Sequence, residues 1–172
     1  QAATGASTYT LKLASDATCT TVTQTFAGLT GTSKALSGLA SGIRYLCLTA
    51  TDAAGVSKEA ANNGLELRVD VDPPTVPGVP ASGTALTTTN AISFTWTVST
   101  DAGPGGLASY DLQVGTTAGG NDIFNSSANS SIAKTITGLG DGLYYARVRA
   151  VDAVGNSSSW SASSTAVRID TL

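Results

Sequence analysis

The chain is predicted to be all-β, built as two consecutive copies of one β-sandwich repeat with the first copy lacking its first two strands. Three observations carry this: the composition, an internal repeat at an offset of 100 residues, and period-2 alternation of apolar residues between turn signals. Hydrophobic residues make up 41% of the 172 residues and charged residues only 12%, against about 25% charged in an ordinary soluble domain. Thr, Ser, Ala and Gly fill the difference, and these small neutral residues suit short strands and turns more than helices.

The repeat is read directly. LSGLASGIRYLCLTATDAAGVSKEAANNGLELRVD (36–70) aligns without a gap to ITGLGDGLYYARVRAVDAVGNSSSWSASSTAVRID (136–170). It matches Gly38 to Gly138, Leu39 to Leu139, Gly42 to Gly142, Tyr45 to Tyr145, Asp52 to Asp152, Gly55 to Gly155 and Asp70 to Asp170. Upstream, with one residue inserted, STYTLKLA (7–14) matches ASYDLQVG (108–115). The domains are therefore expected at 1–72, partial, and 73–172, complete.

In the second copy, 79–86 is expected to open the sandwich, with Pro80 tolerable at a sheet edge. Residues 91–99 (AISFTWTVS) form the next strand and point Ile92, Phe94, Trp96 and Val98 inward. In 109–115, Tyr110, Leu112 and Val114 face the core. A short strand near 122–125 and another at 131–139 follow. Residues 143–151 bury Tyr144, Ala146, Val148 and Ala150, and 165–170 closes the unit with Val167 and Ile169.

A Trp on the second strand, Tyr-x-Leu-x-Val on the third, the Gly-Leu turn and Tyr-x-Ala-x-Val-x-Ala on the sixth together resemble a fibronectin type III domain. The stretch TDAGPGGLASYDLQVGTTAGGNDIFN and the A-x-D-A-x-G-[VN]-S hairpins resemble bacterial secreted, Ig-like versions of it. The resemblance covers 73–170 and implies a fold; such modules serve as spacers, adhesins and enzyme appendages alike.

In that strand order the first copy begins at its third strand, because only QAATGAS precedes Tyr9, Leu11 and Leu13. Leu11, Leu13, Phe26, Leu46 and Leu48 are then expected to face water, at roughly 1.5–3 kcal/mol for each large side chain left exposed. Three readings stand: a fragment of a longer array, strands supplied by another chain, or a shortened domain packed on a partner. No spare apolar strand is available to donate to a neighbour. At the other end, RVD runs on to Pro73-Pro74, whereas RID stops at Thr171-Leu172, where the next proline would fall; this favours the fragment.

Cys19 and Cys47 are expected to form a disulfide between the end of the third strand and the outer face of the sixth. Arg147 replaces Cys47 in the second copy, so the bridge would be local reinforcement, and it points to an oxidising compartment. On the second copy's outer face, Arg147, Arg149 and Arg168 are expected to meet Trp160, with Asp111 and Gln113 alongside. This resembles the cation–π ladder of cytokine-receptor fibronectin domains: a self-satisfied brace, or alternatively a patch contacting a glycan or protein ligand.

Asp52 and Asp152, each preceding a Gly, read as turn formers. Asp70, Asp72, Asp101 and Asp152 are candidate calcium ligands at the junction, set against the simpler reading of solvated acids beside a proline-stiffened linker. Asn125, Asn129 and Asn156 fall in Asn-x-Ser patterns that a Ser-rich chain produces by composition. No other cofactor is expected.

Enzyme function is disfavoured. With no His, the commonest general base and metal ligand is missing, and a zinc site would have to lean on carboxylates. A net charge of −3 without a basic stripe argues against nucleic acid. No apolar run reaches the ~20 residues of a membrane helix. No signal peptide is visible, though a mature chain would have lost one. The expected role is an extracellular or cell-surface structural or adhesive repeat. The alternatives are a ligand-binding adhesin and an accessory repeat of a large secreted hydrolase. The expected partners are neighbouring repeats or a strand-supplying chain.

Overall fold

The computed structural model describes residues 4–172, and these contain strands and no helix. They separate into two compact units, residues 1–70 and 71–172.

The second unit holds eight strands: β6 (Ala81–Ser82), β7 (Leu86–Thr87), β8 (Ala91–Thr95), β9 (Leu107–Gly115), β10 (Phe124–Asn129), β11 (Ala133–Thr137), β12 (Gly142–Asp152) and β13 (Val167–Ile169). One sheet runs β10-β9-β12-β13-β7 and the other β11-β8-β6. Between them, Ile92, Phe94 and Trp96 from β8 and its exit meet Tyr110, Leu112, Val114, Val148 and Ala150 in a single buried cluster. The Trp96 and Tyr110 rings contact edge-on, 5.7 Å between centroids. Alternation along β9 and β12 thus sends every second residue into the core, as the pattern predicts.

Two details of the expected strands are corrected. The opening strand is divided: β6 pairs antiparallel with β8, then the chain changes sheets and β7 pairs parallel with β13. Residues 91–99 do not stay extended together, for pairing ends at Thr95 and Val98 lies 65% exposed. After Trp96 the backbone is held instead by other groups. Trp96 N–H donates to the Ile132 carbonyl (3.0 Å), and Ser99 N–H donates to the Tyr110 hydroxyl (2.9 Å), which turns Val98 outward.

The first unit has β1 (Ala6–Ala14), β2 (Val22–Leu29), β3 (Gly42–Asp52), β4 (Ser57–Glu59) and β5 (Leu65–Val69). All lie in one sheet, ordered β2-β1-β3-β4, with β5 also on β3. Among the described residues there is no second sheet in this unit. Register places Tyr9 opposite Ala50, Leu11 opposite Leu48 and Leu13 opposite Leu46, so these six side chains share a face.

That face is the counterpart of the second unit's core. Leu48 is 37% exposed where Val148 is fully buried, and Leu11, Phe26 and Leu46 are half-buried. The expectation that Leu13 faces water is wrong: it is fully buried. It lies on the central strand β1, flanked by β2 and β3, and residues 31–34 fold back beside Tyr9, Leu11, Leu29 and Leu48.

Candidate functional site

The densest constellation of polar and aromatic side chains is on the outer face of β9 and β12. Arg147 stands opposite Gln113 and Arg149 opposite Asp111. Each guanidinium uses Nε to reach across: Arg147 to Gln113 Oε1 and Arg149 to Asp111 Oδ2, both at 2.9 Å. Both guanidinium carbons also lie 4.9 Å from the centre of the Trp160 ring. The ring is half-buried and its electron-rich surface is engaged by two cations.

Trp160 is delivered by a segment whose construction the sequence reading missed. Ser158, Ser161 and Ser164 recur every third residue, the period of an extended polyproline-type chain. Their backbone N–H groups donate to the carbonyls of Ala150, Val148 and Ala146 at 2.8–2.9 Å. Their hydroxyls accept from the N–H groups of the same residues at 2.9–3.1 Å. The serines therefore complete the ladder of β12 where no regular strand runs alongside. The S-x-x-S-x-x-S spacing around Trp160 was the available signal.

Arg168 does not join this ladder, which corrects the expectation. It stands opposite Leu143, at the far end of β12 from Arg149, and its guanidinium pairs with Asp170 at 2.9 Å.

In the first unit the structure bonds Cys19 to Cys47, with Cα atoms 6.1 Å apart. Cys47 lies on the sheet face opposite Leu46 and Leu48, yet is only 3% exposed, because the bridged loop covers it. That loop is organised by Asp16, whose carboxylate accepts from the Thr18 hydroxyl and from the N–H groups of Thr20 and Thr21. These bonds, the Thr18 hydroxyl first, hold the Asp16 pKa well below the usual carboxylate range. Gly64 (φ +81°) lies against the Ala17 backbone, where a Cβ would collide with the carbonyl oxygen.

The calcium candidates are placed as follows. Asp152 is buried; burial works to raise its pKa, but the Asn156 side chain and the N–H groups of Asn156, Val154 and Gly155 outweigh it and lower the value. Those donors stand 2.7–2.9 Å from its oxygens. Three N–H groups converge on Oδ1 and the Asn156 amide takes Oδ2, so a cation would have to compete with them. The Asp101 carboxylate comes within 4.8 Å of that of Asp152. One Asp101 oxygen accepts from Gly103 N–H (3.4 Å), and the other is buried without a hydrogen-bond partner. Asp72 offers its carbonyl to Asn156 Nδ2 (3.5 Å), and Asp70 accepts from the Ser41 hydroxyl (3.5 Å).

No protein-family model matches the chain. Among solved structures, fibronectin(III)-like modules of CbhA from Clostridium thermocellum superpose over 99% of this chain and 81% of theirs, with TM-score 0.52 and 17% identity. The chain has the fibronectin type III-like fold. A Fn3-like protein from the same organism covers 59% of this chain and 98% of its own, at 25% identity and TM-score 0.42.

Two curated proteins align with most of these fibronectin type III-like units. Chitinase A1 of Niallia circulans is 35% identical over 153 residues, 83% of this chain and 20% of that protein. Exoglucanase B of Cellulomonas fimi is 36% identical over 146 residues, again 83% of this chain but 12% of that protein. The chain thus spans a fifth or less of the length of these relatives.

Proposed function

We propose that this chain is a non-catalytic structural module, an accessory repeat that spaces other domains of a larger secreted polysaccharide-degrading protein. The observation that carries this reading is the alignment of 83% of the chain to small portions of a chitinase and of an exoglucanase. Function as an appendage was one of the roles open from sequence. The relatives favour it over a repeat in an adhesive surface array, for which the repetition alone speaks.

The chemistry agrees. There is no His in the chain. Asp16, Asp122, Asp141 and Asp152 carry lowered pKa values because hydroxyls and backbone N–H groups bind them, which suits turn formation and not proton donation. The disulfide fits an oxidising compartment outside the cytoplasm. Among the described residues no helix is long and apolar enough to cross a membrane.

Trp160 bears on the competing ligand-binding role. A sugar stacks on an open ring face, whereas this ring already carries Arg147 and Arg149. Incubated with insoluble chitin or cellulose, the chain is expected to stay in the supernatant and release no soluble sugar. Trp160→Ala is expected to lower stability by about 1–2 kcal/mol without changing that partition. Retention on the polysaccharide that is abolished by Trp160→Ala would replace the spacer reading with a binding one.

A further inference from the structure

Asn63-Gly64 is the one Asn-Gly pair in the chain. Glycine sets no Cβ beside its backbone nitrogen, so that nitrogen can approach the side-chain amide carbon of the preceding asparagine. Both residues are half-buried in the turn that leads into β5. There the groups that would react are held apart from each other. Asn63 Oδ1 accepts from Leu48 N–H at 2.7 Å, which fixes the carboxamide against β3. Gly64 N–H donates to the Leu46 carbonyl at 2.9 Å, which engages the nitrogen that would attack. Gly64 itself, at φ +81°, is wedged against the Ala17 backbone.

These three anchors surround one covalent bond. Cys47 lies between Leu46 and Leu48, and its partner Cys19 lies two residues beyond Ala17 in the loop after β1. Cys19 has φ +62°, a left-handed conformation that a residue with a Cβ takes up unwillingly, so the loop is held in place by its bonds and not by local preference. The second unit has neither half of the arrangement: Arg147 stands in the place of Cys47, and Ser163-Ser164 in the place of the Asn-Gly pair.

We propose that Asn63 is a modification site, protected while the Cys19–Cys47 bridge is intact and deamidated once the bridge is reduced. A dithiol reductant supplies two electrons and two protons, becomes a disulfide itself and leaves Cys19 and Cys47 as thiols. The loop then moves off Gly64, and the turn opens from β3. The Gly64 nitrogen gives its proton to solvent base and attacks Asn63 Cγ. A new C–N bond forms, the bond to the side-chain nitrogen breaks, and that nitrogen leaves as ammonia. Water opens the resulting five-membered imide at either carbonyl, giving a side-chain carboxylate or an isoaspartyl linkage. The isoaspartyl form adds a methylene to the main chain between positions 63 and 64. That displaces Gly64 N–H from the Leu46 carbonyl, so re-oxidation does not restore the original contacts. Reduction is reversible, but its trace at Asn63 is permanent. The proposal is independent of the spacer reading.

The test incubates the full chain at mildly alkaline pH, oxidised or with a dithiol reductant, and follows the peptide containing Asn63 by mass spectrometry. Reduction is expected to speed conversion of the Asn63 amide to acid by roughly tenfold or more. Cys19→Ser with Cys47→Ser should match the reduced chain with no reductant present. Asn63→Gln, which would need a six-membered ring, should abolish the change at that position. Leu13→Val trims a fully buried side chain outside the anchors, and with the bridge intact its rate should stay near that of the parent. The proposal is overturned if oxidised and reduced chains convert at the same rate, or if reduction directs conversion to other asparagines. It is overturned equally if Leu13→Val speeds conversion as much as cutting the bridge, since Asn63 would then report only the loosening of the unit.

Discussion

Residues 33–37 and 133–137 occupy equivalent places in the repeat, and only 133–137 form a strand. Lys34 and Lys134 even make the same contact, each stacking its ammonium over a phenylalanine, Phe26 or Phe124. What differs is the partner: β11 has β8 to pair with, and 33–37 have nothing equivalent among the described residues. Strand formation here is decided by pairing and burial more than by local preference. In the first unit β1 pairs with β2 and β3, β3 also pairs with β4 and β5, and a disulfide ties the loop after β1 to β3.

The sharpest way to break this comparison is to empty equivalent sites. Phe94→Ala removes a fully buried ring and is expected to cost the second unit about 3–5 kcal/mol. Leu48→Ala, on the open face, is expected to cost the first unit less than roughly 1 kcal/mol. Both tryptophans belong to the second unit, so denaturant unfolding followed by Trp fluorescence reads that unit, while amide exchange in β1 and β3 reads the first. Equal costs would mean that the first unit's face is covered after all.

Reduction should act on the opposite unit. The bridge joins positions 28 residues apart, a loop whose closure is worth roughly 3–4 kcal/mol in the chain-entropy model. Cys19→Ser with Cys47→Ser should therefore accelerate exchange throughout β1 and β3 and leave the Trp-detected transition in place. A shift of that transition would show that the units unfold together.

Much of the second unit was legible beforehand because its alternation is strict. Tyr110, Leu112, Val114, Ala146, Val148 and Ala150 all point inward, and Arg147 and Arg149 reach Trp160 as outward positions on neighbouring strands should. What escaped reading depends on contacts that periodicity does not encode. Val98 continues the pattern but leaves the sheet because Ser99 bonds Tyr110; Leu13 is buried by its central position; Arg168 lies on β13 opposite Leu143, at the other end of β12 from Arg149, and pairs with Asp170 instead of Trp160. The third-residue serines belong to neither strand nor helix period, so a search for those two passes over them. Tyr144 and Arg44 illustrate the same limit from the other side. One offers a hydroxyl to the Gly140 carbonyl and the other a guanidinium to the Ala40 carbonyl, both at 2.8 Å, and no alignment of residue types announces that equivalence.

The two hairpin aspartates differ in what holds them, and acid titration reads the buried one, Asp152. Asp152 is buried and bound through both oxygens, whereas Asp52 is half-buried and receives Ala54 and Val56 N–H on one. A carboxylate with a depressed folded pKa contributes stability that is present above the unfolded value of about 3.9 and disappears as pH falls through the folded one. The Trp-detected transition should hold steady near neutrality and weaken below about pH 4. Asp152→Ala should cost about 2–3 kcal/mol at neutral pH by stranding its donors and should flatten that acid dependence. Asp52→Ala should do less to the first unit.

The smallest effect tests whether the two units solve one problem in two ways. The N–H groups of Leu48 and Val148 are repeat equivalents, and neither has a regular strand partner on the β4–β5 or serine side. Leu48 donates to Asn63 Oδ1 at 2.7 Å and Val148 to Ser161 Oγ at 3.1 Å. An unpartnered buried N–H costs about 1–3 kcal/mol, and one that water can reach costs less. Ser161 is buried and Asn63 is half-buried beside the open sheet. Ser161→Ala should therefore lower the second unit's stability by about 1–2 kcal/mol, and Asn63→Ala should change the first unit's by less. If Asn63→Ala proves the more costly, the first unit depends more on this side-chain bond than the second does on its serine, and the ranking drawn from burial alone fails there.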